Sequence, residues 1–138
     1  MEVYHGTETT AATNILGPPN NIDVSLGRGE LGRGFYAGGE PSMAAALARG
    51  KHKEKAAVLQ ITLDIKEYMK LSHEVVKYRR YLKKHWNLLV NNHETTTFKY
   101  GKDVVMAPFA TFDISHQYKF ESGKAQNLLN NSIITQVL

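Results

Sequence analysis

Cysteine is absent from the 138 residues, which excludes disulfides, thiolate metal sites and a cysteine nucleophile together. Long apolar runs are missing as well, and none approaches the ~20 residues that a membrane-spanning helix needs. The opening Met1-Glu2-Val3-Tyr4-His5 carries neither the basic nor the apolar stretch of a secretory signal. No linker, repeat or low-complexity segment divides the chain. Neither a G-x-S-x-G elbow nor a G-x-x-x-x-G-K-[ST] loop occurs, so serine-hydrolase and P-loop readings lapse. The six histidines (His5, His52, His73, His85, His93 and His116) lack the spacing of a zinc or facial-triad site. No metal is therefore expected.

What is present suits one globular α+β domain over residues 1–138, expected to be soluble and cytoplasmic, or delivered into a target-cell cytoplasm. Hydrophobic residues make up 42% and charged residues 22%, a balance that permits a core and argues against disorder. The net charge of +4 is unevenly spread. Residues 49–84 hold eleven Lys/Arg against four Asp/Glu, a local surplus of seven that leaves the rest of the chain acidic. Such a segment can attract a polyanion or simply solvate a surface.

Alternation predicts strands at 2–6, 33–37, 57–63, 103–107, 117–120 and 132–138. Helices are expected over Thr7–Leu16, stopped by Gly17-Pro18-Pro19, over Pro41–Arg49, closed by Gly50, and over 122–130. The stripe Val75, Tyr78, Leu82, Trp86 and Leu89 predicts the longest helix, 73–90. Residues 20–34, rich in Gly and Asn, read as a long loop of the kind that carries function. Within it Gly27-Arg28-Gly29-Glu30-Leu31-Gly32 satisfies G-x-G-x-x-G, but a strand follows it where a dinucleotide site needs a helix. A second short pattern, Arg80-x4-His85, has the spacing of helical ribonucleases of the HEPN type. Those are all-helical, whereas strands are evident here.

Three segments gain meaning when taken together. Tyr4-His5-Gly6-Thr7 ends the first strand; Gly32-Arg33-Gly34-Phe35-Tyr36-Ala37 precedes a helix from Ser42; Gln117-Tyr118-Lys119-Phe120-Glu121 lies near the C-terminus. In this order the sequence resembles the ADP-ribosyltransferase superfamily, in its diphtheria-toxin-like or poly-ADP-ribose-polymerase-like branch, over residues 2 to about 128. It is also similar to small bacterial toxin-like domains.

The resemblance implies a split core of two small antiparallel sheets with flanking helices, and NAD as substrate without a metal. It assigns His5 to a ribose hydroxyl, the Gly6 backbone to the nicotinamide carboxamide, and Tyr36 to stacking on the nicotinamide ring. Thr7, Gly34 and Phe35 line the same site, and Arg33 and Ser42 are candidates for NAD phosphate or ribose. The third motif ordinarily bears a glutamate that stabilises the positive charge developing on the ribose, as a carboxylate does in glycoside cleavage. Gln117 stands there instead, with Glu121 as a second candidate on the same face of a strand.

The function so implied is mono-ADP-ribosylation of a protein or nucleic acid by a toxin or effector, with 49–84 as the acceptor surface. An antitoxin or immunity protein is a further expected partner. A catalytically silent NAD- or ADP-ribose-binding module is the alternative that Gln117 keeps open.

Overall fold

The computed structural model describes residues 1–76, 97–109 and 116–138. These residues are α+β. The chain packs as two units: Met1–Ile22, Ala37–Lys70 and Asn127–Leu138 form the first, and Asp23–Tyr36 and Leu71–Gln126 the second.

The first unit is organised on strand β1 (Glu2–Glu8), which pairs antiparallel along its whole length with β5 (Ala56–Thr62), from Glu2 opposite Thr62 to Glu8 opposite Ala56. The C-terminal end of β4 (Phe35–Gly38) lies on its other edge, with Tyr4 opposite Gly38. β9 (Ile133–Gln136) closes the order β4-β1-β5-β9, antiparallel to β5. β5 is buried on both faces at Ala57, Val58, Leu59 and Ile61, which explains its unbroken apolar sequence.

Two helices cover this sheet. From α1 (Thr9–Leu16), Ala12, Ile15 and Leu16 pack with Ala57, Leu59 and Ile134. α2 (Pro41–His52) packs on β1 and β5. Pro41 opens α2 with a φ already suited to a helix. Ala44 and Ala48, one turn apart, are its buried positions. The structure carries α2 through Gly50 to His52, because the left-handed turn falls on Lys53 (φ 53°), whose N–H reaches the Arg49 carbonyl. A short helix that the sequence did not suggest, α3 (Ile65–Met69), is capped by Asp64, which accepts from the Lys66 and Glu67 N–H groups.

The second unit contains the ribbon of β2 (Arg28–Gly29) and β3 (Gly32–Arg33), with Arg28 opposite Arg33. The expected long loop at 20–34 thus holds a hairpin. β7 (Val104–Pro108) pairs antiparallel with β8 (His116–Phe120), and β6 (His73–Val75) lies parallel to β7. That parallel pair departs from the all-antiparallel expectation. Leu31, Val105 and Ala107 are fully buried, with Tyr36, Val76 and Tyr100 packed against them. Full burial of one such leucine contributes about 1.5–3 kcal/mol.

α4 (Gly123–Asn130) begins in the second unit, where Ser122 Oγ accepts from the Ala125 N–H at 3.0 Å. It ends in the first unit, where the Asn130 amide exchanges two hydrogen bonds with the Ile22 backbone, at 2.7 and 3.0 Å.

Two boundaries are corrected. β1 runs on through Gly6 and Thr7 to Glu8, so the first helix starts at Thr9, because the ladder to β5 claims those backbone groups. Residues 73–75, expected to start the long helix, form β6 because β7 offers them a parallel partner. The remainder of that expected helix, with Arg80, His85 and the ribonuclease-like pattern, lies outside the described residues, as do Lys77, Arg79, Lys83 and Lys84 of the basic segment. No helix among the described residues is long and apolar enough to cross a membrane.

Candidate functional site

The site residues expected from sequence divide between the two units. His5, Gly6, Thr7 and Ser42 belong to the first, and Arg33, Gly34, Phe35, Tyr36, Gln117 and Glu121 to the second.

In the first unit, strand alternation puts His5 and Thr7 on the sheet face of their partners Leu59 and Ala57, and Gly6 on the opposite face. That second face receives α2. A Cβ on Gly6 would stand 2.5 Å from the Ala44 carbonyl oxygen and 3.2 Å from Ala48 Cβ. Helix packing therefore demands glycine at position 6 whatever else its backbone does. Ser42 is exposed in the first turn of α2.

The second unit brings its residues together around the hairpin. Tyr36 is largely buried, and its ring lies on Gly29, where a Cβ would come within 2.7 Å of the ring. Its hydroxyl accepts from the Leu31 N–H at 3.0 Å and donates to the Gly32 carbonyl. Burial drives the Tyr36 hydroxyl well above its usual range, against the Leu31 hydrogen bond and reinforced by the charges of Glu30 and Glu121. It is a neutral donor at any physiological pH.

β8 supplies an unusual row. Alternation sets Gln117, Lys119 and, just past the strand end, Glu121 on one face, and these are the buried polar or charged residues of the described chain, at 3%, 0% and 4% exposure. Gln117 Nε2 donates to Glu30 Oε2 at 2.9 Å and to the Pro108 carbonyl at 3.3 Å. Lys119 Nζ sits 2.6 Å from Glu121 Oε2 and donates to the carbonyls of Leu31 (2.8 Å) and Phe98 (3.3 Å). The Tyr100 ring lies under the same ammonium, 5.1 Å away. Burial pushes Lys119 below its ordinary value, and the pairing with Glu121 opposes this only in part. Burial pushes the Tyr100 hydroxyl up to about 12, helped by the charges of Glu121 and Glu74.

Glu121 Oε1 accepts from the Gly101 N–H at 2.8 Å and the Lys102 N–H at 3.4 Å, while Oε2 has the Lys119 ammonium beside it and no hydrogen-bond partner among the described residues. Gly34 gives the Lys119 stem its passage, since a Cβ there would lie 2.5 Å from Lys119 Cγ. Phe35 is buried at the start of β4. Arg33 is half-buried on β3, and its Nε is buried without a hydrogen-bond partner among the described residues. Such a donor suits an anionic group such as a phosphate.

Sequence reasoning overlooked Glu30 and Lys119. Glu30 was hidden inside the glycine pattern, whose interest lay in the glycines. Lys119 was detectable: a lysine two residues from both Gln117 and Glu121 in a strand shares their face. In the first unit, Arg49, Lys51, Lys53, Lys55, Lys66 and Lys70 of the basic segment are all exposed, with Lys70 paired to Glu67 at 2.9 Å. Among the described residues no three His, Asp or Glu side chains gather as a metal-ion site.

No protein-family model matches the sequence, and no curated protein matches it.

Proposed function

We propose that the chain is a mono-ADP-ribosyltransferase on an ADP-ribosyltransferase-like split-sheet fold, moving ADP-ribose from NAD to a macromolecular acceptor as a toxin or effector. The observation that carries this reading is the convergence of the second and third motifs on one hairpin. Tyr36 is bonded to Leu31, and Gln117 to its neighbour Glu30. Residues far apart in sequence are thereby fixed about the same two-residue turn, as positioning of a reacting group requires. The buried Nε of Arg33, without a hydrogen-bond partner among the described residues, fits the diphosphate of NAD.

When bound, NAD supplies a glycosidic bond whose cleavage leaves positive charge on the ribose. Tyr36 offers an aromatic face held by its hydroxyl to the hairpin, and an offset aromatic contact contributes about 0.5–1.5 kcal/mol beyond burial. Arg33 binds and orients the anion. His5, Gly6 and Thr7 enter through the sequence motif, as does Ser42.

The test is incubation of the full chain with nicotinamide-labelled NAD. Release of nicotinamide that vanishes in His5→Ala and Tyr36→Ala supports the enzyme. Lack of both binding and release sinks the reading. Gln117, uncharged and 3% exposed, favours a second reading, a silent NAD- or ADP-ribose-binding module, which predicts binding without release.

The exposed Arg49 and the five exposed lysines between 51 and 70 favour a nucleic-acid acceptor, since phosphate contacts supply affinity that falls with salt. Acceptor modification that is indifferent to salt would point to a protein instead. A toxin of this kind also calls for an antitoxin or immunity protein as partner.

A further inference from the structure

We propose that Glu30, in the turn of the β2–β3 hairpin, is the carboxylate of the site, and that Gln117 is its positioning residue. The inference rests on the transferase reading and adds to it the residue that carries the negative charge.

Among the described residues Glu30 bonds Gln117 and Glu121 ends the third motif, and their surroundings separate these two carboxylates. Glu121 is 4% exposed, one oxygen held by the Lys119 ammonium and the other by the N–H groups of Gly101 and Lys102. A carboxylate so enclosed is closed to a substrate. Glu30 is half-buried, whereas its partner Gln117 is 3% exposed. Of that pair, the carboxylate is the more exposed member.

The hydrogen bonding of Gln117 explains why an amide stands where the resemblance expects an acid. Its Nε2 donates to Glu30 at 2.9 Å and also to the Pro108 carbonyl at 3.3 Å. A glutamate at 117 would set one carboxylate against another and against that carbonyl oxygen. The amide instead ties Glu30 to β8 by donating a hydrogen bond to it. Glu30 is also next to Leu31, whose N–H bonds Tyr36, so the charge and the aromatic face are held by adjacent residues.

The chemistry balances. The bond between ribose C1′ and the nicotinamide nitrogen breaks, and its electron pair leaves with nicotinamide. A lone pair of the acceptor forms the new bond to C1′, and the acceptor's proton passes to the Glu30 carboxylate and on to water. Glu30 offsets the positive charge developing on the ribose.

The experiment compares wild type, Glu30→Gln, Glu30→Asp and Gln117→Ala by nicotinamide release, calorimetric NAD affinity and thermal melting. Glu30→Gln should lower release roughly 100-fold, with NAD affinity within about threefold of wild type and an unchanged melt. Glu30→Asp should retain more activity than Glu30→Gln. Gln117→Ala should lose less than Glu30→Gln and add nothing when combined with it.

Wild-type release rates in Glu30→Gln would overturn the assignment and leave the transferase reading standing. A Glu30→Gln variant that loses NAD affinity or melts early would mark a structural role and overturn it too. No release from the wild type would overturn both.

Discussion

Lys119 and Glu121 form an ion pair of 2.6 Å whose side chains are 0% and 2% exposed. Two residues apart on one face of a strand end, they hold together three segments: the hairpin through the Leu31 carbonyl, the 97–100 segment through the Phe98 carbonyl, and the turn at Gly101-Lys102. Burying two charges is costly, and the hydrogen bonds to the surrounding backbone offset part of that cost. Its value lies in fixing where the hairpin sits, and with it Glu30 and Tyr36.

Removing one partner should therefore cost far more than removing both. Lys119→Met strands a buried carboxylate and is expected to destabilise by about 3–5 kcal/mol. Lys119→Met combined with Glu121→Gln should recover part of that loss. Urea denaturation of the two single variants and the double variant gives the coupling directly; additive losses would contradict the argument.

Gly34→Ala tests the same pair through sterics. The new Cβ would stand 2.5 Å from Lys119 Cγ, and the lysine cannot swing away because its ammonium is anchored at three points. Overpacking of this kind costs about 1–3 kcal/mol. The same substitution should be milder in a Lys119→Ala background, though the Phe120 carbonyl oxygen at 3.0 Å leaves some cost behind. Thermal melts of the four proteins settle the comparison.

Asp103 gives an acid-dependent contribution to stability. Burial works against its charge, but the Ser122 hydroxyl at 2.6 Å and the N–H and hydroxyl of Ser72 at 2.7 and 3.0 Å win, and hold it below the ordinary 3.8. A carboxylate lowered on folding contributes fully above its unfolded value and loses that contribution as pH falls through its folded value. Asp103→Asn should thus be less stable than wild type above pH 3.8, with the gap closing in more acid solution. Denaturant midpoints measured across that range would show it, and a gap independent of pH would exclude the carboxylate as its source.

The elements legible in sequence are those whose own residues dictate them. β5 shows as an apolar run, α2 begins at its proline, and α1 stops at Gly17, whose φ is 60°. β6 was illegible because His73-Glu74-Val75 becomes a strand only by pairing with β7, and the apolar spacing from Val75 pointed to a helix. The site was legible as separate motifs. What joins Tyr36 to Gln117 is a hairpin whose two central residues, Glu30 and Leu31, bear no local signal of their role. One becomes a hydrogen-bond acceptor and the other a core residue only when β8 lies alongside. Gly6 was legible as a glycine that matters, but α2 supplies a packing reason beside the ligand reason drawn from the motif.

Tyr36→Phe separates the ring from its hydroxyl. The ring stays on Gly29, so any stacking surface is kept, while the bonds to the Leu31 N–H and the Gly32 carbonyl are lost. The Leu31 N–H then lies beside a phenyl edge with no acceptor, at a cost of about 1–3 kcal/mol for a buried donor left unpaired. Because the strands of the hairpin are two residues each, the loss should appear locally before it appears globally. Amide hydrogen exchange at Leu31 and Gly32 should speed up more than exchange in β7 or β5. If Glu30 is the working carboxylate, nicotinamide release should fall in step with that local loosening while NAD affinity changes less, because the carboxylate loses its fixed position and the ring does not. Exchange rates that rise equally throughout the chain would mean that Tyr36 supports the whole fold rather than the hairpin.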